Sequence, residues 1–310
     1  MKKKKVSYVI PCYNSENTIS FVVKEIIDTI SKYNDYDYEI ILINDGSKDN
    51  VIMILKEFAS KNKKIKVIDL IKNFGQHAAL ITGLRYCTGD IVVCLDDDGQ
   101  TPANESMKLI EKVECGFDVV YAKYKTKQHS WFRNFGSKMN DVMTCFMLDK
   151  QKDLYISSYF ACKKYIVNEI IKYNNPYPYM QGLVLRTTNN ITNVDINHRS
   201  RKQGESGYSL IKLISLWMNG FTSFSVKPLR ISTIFGFSSA LIGMIYGIII
   251  IINKLTNKTK VIGYASIMAV LLFVSGIMMM MLGLIGEYIG RIYICINSSP
   301  QAIVKDKINL

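Results

Sequence analysis

The sequence predicts an α/β domain on a mainly parallel sheet, followed by a C-terminal pair of long apolar helices. Three observations predict it. Short β-branched runs alternate with segments of helical periodicity through the first half of the chain. Polar clusters stand at the C-terminal ends of those runs. After Arg230, two long stretches carry no charge at all.

The first strand is read at Val6–Ile10, ending at Pro11. Glu39–Ile43 repeats the pattern before the turn Asn44-Asp45-Gly46-Ser47, and Lys66–Leu70, Ile91–Leu95 and Asp118–Ala122 supply three more. Between them Thr18–Ile30, Val51–Ala59, Ala78–Cys87 and Glu105–Val113 place apolar residues at helical spacing. Strand and helix in alternation give a parallel sheet with helices on its faces. Such sheets bind ligands beyond the C-terminal strand ends. The clusters Pro11–Asn14, Asn44–Ser47 and Asp96–Gln100 sit at those ends.

Ile231–Ile252 and Ile262–Gly286 lack charged residues, and each exceeds the roughly 20 residues that cross a bilayer core. The polar link Asn253–Val261 turns the chain back, so a two-helix transmembrane hairpin is expected. Just upstream, Leu210, Leu213, Ile214, Trp217, Phe221 and Phe224 recur at helical spacing with Lys212 and Lys227 nearby. That pattern reads as an interfacial amphipathic helix or as a core helix of the soluble domain. The expected division is a soluble domain over 1–208, an interfacial helix and linker over 209–230, the hairpin over 231–290 and a tail over 291–310. Lys254, Lys258 and Lys260 in the link balance Lys212, Lys227 and Arg230, so charge alone does not orient the hairpin. Val6–Ile10 is too short for a secretory signal. The soluble domain and both termini are therefore expected on the cytoplasmic side of the inner membrane.

The net charge of +13 implies an anionic partner: nucleic acid, anionic lipid or a phosphorylated substrate. Scattered basic residues beside apolar spans weigh against nucleic acid. Seven cysteines, an odd number without a C-x-x-C pair, and three separated histidines support neither a disulfide framework nor a zinc site. Neither a P-loop nor a G-x-G-x-x-G fingerprint is present.

The sharpest chemical signal is Leu95-Asp96-Asp97-Asp98-Gly99-Gln100-Thr101-Pro102, directly after an apolar strand. Three carboxylates at a strand end repel one another unless a cation or strong donors sit among them. A hard divalent ion would relieve this and could clamp a diphosphate. The alternative is an acidic turn that caps the next helix.

Val9-Ile10-Pro11-Cys12-Tyr13-Asn14 with Glu16, followed by Ile43-Asn44-Asp45-Gly46-Ser47, resembles the nucleotide pocket of glycosyltransferase family 2. The acidic triplet matches that family's D-x-D-x-Q metal site at Asp96, Asp98 and Gln100. The resemblance continues through Asn73-Phe74-Gly75-Gln76-His77, Ser130-Trp131-Phe132-Arg133, Gly204-Glu205-Ser206 and Gly286-Glu287-Tyr288-Ile289-Gly290-Arg291. These motifs span nearly the whole chain. They look like the polyprenyl-phosphate branch, which includes dolichyl-phosphate mannose synthases and, as the nearer likeness, undecaprenyl-phosphate formamido-arabinose transferases.

The resemblance implies a GT-A-type nucleotide-sugar domain and an inverting, metal-dependent transfer of sugar to polyprenyl phosphate. It implies that Pro11, Tyr13, Glu16 and Asp45 line the nucleoside pocket and that Asp96 reaches the donor ribose or the metal. Asp98 and Gln100 would hold Mg²⁺ or Mn²⁺ on the diphosphate, with a UDP-sugar favoured as donor. Arg201, Gly204 and Ser206, with Arg133, would grip the acceptor phosphate. A catalytic aspartate is expected in mid-domain, where Asp153 stands. The likeness also favours a homo-oligomer, for which Met278–Met281 with Gly276, Gly283 and Gly286 suit helix packing. The sequence departs from the family's commoner leucine at Gly99 and lysine at Gly207. The rival readings are a processive polysaccharide synthase, which lacks support without a Q-x-x-R-W motif, and a non-catalytic membrane scaffold, for which clustered carboxylates have no use.

Overall fold

The computed structural model describes residues 3–124, 153–176, 178–197, 199, 227–256, 263–297 and 300–310. The chain divides into two compact units, one carrying every described strand and the other carrying two long helices.

In the first unit, β1 (Lys4–Cys12), α1 (Ile19–Ile30), β2 (Tyr36–Asn44), α2 (Val51–Lys61), β3 (Ile65–Leu70), α3 (Gln76–Leu84) and β4 (Ile91–Cys94) follow in alternation. A 3₁₀ turn at Ala103–Glu105 leads into α4 (Ser106–Glu114). Then come β5 (Val119–Tyr124), β6 (Phe160–Lys163), α5 (Lys164–Ile170), α6 (Met180–Thr187) and β7 (Ile191–Ile196). All five strands read from the sequence are present. The sheet order is β7-β5-β6-β4-β1-β2-β3-β8, where β8 is Val304–Ile308. β1 pairs parallel with both β2 and β4, β2 with β3, and β5 with β7. β6 runs antiparallel to β4 and β5.

The central strands read as unbroken apolar runs because helices cover both faces of the sheet. Val6, Tyr8, Val9 and Ile10 of β1 and Ile40–Ile43 of β2 are fully buried. Ile19, Val22, Val23, Ile26 and Ile30 form the buried stripe of α1 at the helical period. The chain runs from β1 outward to β2 and β3, then returns to place β4 on the other side of β1. That reversal opens a crevice between the C-terminal ends of β1 and β4.

Toward the N-terminal ends of these strands, a buried carboxylate ties four segments together. Glu39 accepts hydrogen bonds from Ser7 Oγ (2.6 Å), Thr88 N (2.6 Å) and Thr88 Oγ1 (2.8 Å). Lys5 Nζ and Lys66 Nζ lie 2.9 and 3.1 Å from its Oε2. Burial opposes the charge, yet these donors outweigh it and hold the Glu39 pKa down at about 2.

The segment expected as a tail returns to the sheet. β8 pairs antiparallel with β3, and Ile71 N donates to Ile303 O (3.1 Å). Gln301, buried, donates to Tyr173 O and Asn175 O at 2.8 Å each. Asn309 Nδ2 reaches Ala59 O (2.7 Å) and Ile65 O (2.8 Å).

The second unit holds α7 (Lys227–Leu255) and α8 (Tyr264–Ile296), both longer than the stretches read as spans. The most apolar crossing-length stretch among the described residues is Phe273–Ile296, with a mean hydropathy of 1.6 and none of it buried. α8 runs on past Gly286 through Gly290 to Ile296. Ser232–Ile245 is a shorter apolar stretch in α7. Near the end of α8, Arg291 Nη2 lies 2.7 Å from Glu287 Oε1, one helical turn back. The proposed interfacial helix upstream of Lys227 lies outside the described residues.

Candidate active site

Three loops meet at the β1/β4 crevice, and each is fastened by side-chain-to-backbone hydrogen bonds. After β1, Asn14 takes a left-handed backbone (φ 52°). Its N–H donates to Ser47 Oγ (3.1 Å) and its Oδ1 accepts from Lys48 N (2.9 Å). Glu16 N donates to Asp49 Oδ2, and Glu16 Oε2 accepts from Asn50 N, both at 2.9 Å. The loops after β1 and β2 thus hold each other reciprocally.

Asp45, buried, secures the third loop. Its two oxygens accept from Phe74 N (2.7 Å) and Gly75 N (3.0 Å), although burial raises its pKa. Gly46 beside it has φ +60°, and a Cβ there would lie 2.3 Å from the Lys72 carbonyl carbon. Only glycine fits this approach. Pro11 is buried at the end of β1, while Tyr13 stays 46% exposed.

The carboxylates at the end of β4 are individually held. Asp96 accepts from Gln76 Nε2 at Oδ1 (2.6 Å) and from Ser158 Oγ at Oδ2 (2.5 Å). Desolvation is the main reason its pKa rises to about 6, with repulsion from Asp98 and Asp97 adding to it against the pull of Ser158 and Gln76. Asp97 accepts from Tyr13 N (2.9 Å) and is likewise raised, chiefly by burial. Asp98 Oδ1 accepts from Gln100 N (3.0 Å) in a turn whose middle residue, Gly99, has φ +71°. Beyond it, Arg199 pairs with Glu25 (2.7 Å) and reaches Asn104 Oδ1 (3.1 Å).

The structure therefore gathers Pro11, at the end of β1, with Tyr13, Glu16, Asp45, Asp96, Asp98 and Gln100, on the loops that follow β1, β2 and β4, at one end of the sheet. Asp153 is exposed at the start of the segment leading to β6, and among the described residues no hydrogen bond joins it to the carboxylates. The side chain from that segment that does reach them is Ser158. Arg133, Arg201, Gly204 and Ser206 lie outside the described residues. Sequence reading missed the anchoring roles of Asp97, Gln76 and Ser158. The requirement that crowded carboxylates have donors was the available signal, but nothing local in the sequence named them.

Among the described residues no three His, Cys, Asp or Glu side chains converge as a closed metal site. The oxygen set at the β4 end instead fits a hard cation that takes one or two carboxylates and completes its shell from phosphate and water.

This mostly parallel α/β sheet, with acidic residues at the β4 end, is that of a glycosyltransferase of the GT-A fold. Residues 7–171 match the glycosyl transferase family 2 domain, and residues 227–292 match the GtrB C-terminal hairpin. The chain belongs to glycosyl transferase family 2. It is 33% identical over 303 residues to the uncharacterized glycosyltransferase YkcC of Bacillus subtilis, covering 96% of this chain and 93% of that one. It is 31% identical over 307 residues to the undecaprenyl-phosphate 4-deoxy-4-formamido-L-arabinose transferase of Proteus mirabilis, covering 98% and 94%. The fold is similar to glucosyl-3-phosphoglycerate synthase of Mycobacterium tuberculosis, crystallised with Mn²⁺, uridine diphosphate and phosphoglyceric acid. The TM-score there is 0.50 at 18% identity, over 70% of this chain and 74% of that one.

Proposed function

We propose that this glycosyltransferase moves a sugar from a nucleotide donor, UDP-linked by preference, onto an undecaprenyl-type polyprenyl phosphate at the cytoplasmic face of the membrane. The observation that carries the reading is the row Asp96–Asp98, fixed at the β1/β4 crevice of a chain whose near-full-length relatives are named as undecaprenyl-phosphate sugar transferases. The relative of known fold crystallised with Mn²⁺ and uridine diphosphate supports a divalent cation and a uridine nucleotide here.

Tyr13 stacks on the base, and Asp45 and Glu16 keep the loops around it in register. Asp96, pinned by Gln76 and Ser158, faces the ribose. Asp98 and Gln100 would hold Mg²⁺ or Mn²⁺, which would supply positive charge beside the donor diphosphate. A lipid phosphate is already anionic and needs alignment more than a base, so Asp153 has no step to perform. Arg201 and Arg133, with Gly204 and Ser206, receive the acceptor phosphate. Direct displacement inverts the anomeric centre. The exposed apolar surface of Phe273–Ile296 suits a lipid environment, where the acceptor is also found.

The test is transfer of label from a panel of UDP- and GDP-sugars to undecaprenyl phosphate by the full chain in nanodiscs, with and without EDTA. Chelator-sensitive, lipid-linked product with inverted anomeric configuration is expected. Transfer only to water-soluble acceptors, or none from any nucleotide sugar, would reject the reading.

A further inference from the structure

Asp96 also walls a small pocket reaching under α3 and α6, which the loop anchors do not explain. Its volume is about 30 Å³, room for roughly two water molecules or for the substituents along one edge of a ring. Leu80, Leu95 and Phe160 give it an apolar floor, and His77, Asp96 and Gln181 give it polar walls. Among the described residues Gln181 Oε1 is a buried atom without a hydrogen-bond partner. A fold tolerates an unanswered buried carbonyl where a ligand brings the missing donor. His77 packs edge-on against Tyr179, with ring centroids 5.5 Å apart. Desolvation draws its pKa down to about 4, so the ring is neutral near pH 7 and offers hydrogen bonds without charge. With a carboxylate and an amide oxygen in its walls and no cation among its lining residues, the pocket is unsuited to phosphate. It suits a ligand with O–H donors on one edge and C–H surface on its face.

We propose that this pocket takes the hydroxyl-bearing edge of the transferred sugar, and that Gln181 is a specificity-determining residue that accepts a hydrogen bond from one of those hydroxyls. The inference deepens the proposed transfer reaction and rests on it for the identity of the donor. Its location supports the choice, because Pro11 and Asp96, from the two strands that flank the crevice, both line the pocket.

Calorimetric titration of UDP and a panel of UDP-hexoses into the full chain with Mg²⁺ or Mn²⁺ reads the pocket separately from lipid transfer. The wild type should bind at least one UDP-sugar more tightly than UDP. Gln181→Leu should weaken that UDP-sugar by roughly tenfold to a hundredfold while UDP affinity stays within about twofold, which also shows that the site is folded. If the leucine variant fails to bind UDP, Gln181→Glu decides, because it keeps shape and acceptor oxygens and should retain the wild-type ranking of sugars. A deoxy analogue lacking the recognised hydroxyl should bind wild type and Gln181→Leu equally. The proposal is overturned if Gln181→Leu leaves the ratio of UDP-sugar to UDP affinity unchanged, if Gln181→Glu abolishes the sugar ranking, or if the wild type never prefers a UDP-sugar. Failure of lipid glycosylation alone would reject the acceptor assignment and leave this ratio standing.

Discussion

Replacing Glu39 with glutamine should destabilise the sheet without touching the crevice chemistry. The side chain is 1% exposed and takes donors from Lys5, Ser7, Lys66 and Thr88. A carboxyl held at about 2 against an ordinary 4.5 contributes about 3 kcal/mol at neutral pH. Glutamine forfeits this and turns an N–H₂ group toward two lysines, so about 3–5 kcal/mol is expected. For a unit of this size the melting temperature should fall by roughly 6–20 °C. The pH dependence gives a second readout. Because the folded pKa lies below the unfolded one, the stabilisation is complete above about pH 4.5 and is lost as pH falls toward about 2. Thermal melts of both proteins in detergent from pH 8 to pH 3 should show a constant gap down to about pH 5, then a closing one. A gap that persists unchanged to pH 3, or is absent at pH 7, would refute the account of Glu39 as a buried, donor-saturated carboxylate.

Asp98→Asn should lower turnover at least roughly a hundredfold with an unchanged melt, and an active, EDTA-resistant variant would remove the metal assignment. Gly46→Ala forces a Cβ to within 2.3 Å of backbone and should cost about 1–3 kcal/mol, read as a lower denaturant midpoint together with weaker UDP binding. Arg201→Ala should raise the KM for polyprenyl phosphate and lower kcat while the UDP-sugar KM holds; a loss confined to donor binding would move that guanidinium to the diphosphate. Deleting residues 300–310 strips β8 from β3 and should lower the melting temperature and increase light scattering, since an open apolar edge invites pairing with other chains.

The parts of the fold legible in the sequence are those buried on both faces. Val6–Ile10, Glu39–Ile43 and Ile91–Leu95 announce themselves because neither face meets water. β6 was hidden by its length of four residues, and β7 by its half-buried surface. β8, Val-Lys-Asp-Lys-Ile, is an edge strand whose charged residues face solvent, so its composition reads as a tail. At the site, consecutive aspartates were conspicuous, but the D-x-D pattern drew attention past Asp97, which the backbone of Tyr13 uses. Gln76 and Ser158 stand 20 and 62 residues from Asp96 in sequence, and only the folded sheet brings them to it. Asp153 stands five residues before Ser158, whose hydroxyl bonds Asp96.

The strand at the far edge of the sheet has a consequence for biogenesis. β8 follows every other described strand in the chain and pairs with β3, which comes early, so the two must lie in one compartment. If α8 traverses a bilayer, α7 has to traverse it too, because strands cannot pair across one. On that arrangement the edge of β3 would stay open on the nascent chain until both helices had been made and inserted. A helix pair that fails to insert leaves a protein with an unfinished sheet, exposed to the chaperones and proteases that recognise such edges. On that arrangement, membrane integration and completion of the sheet would become a single checkpoint.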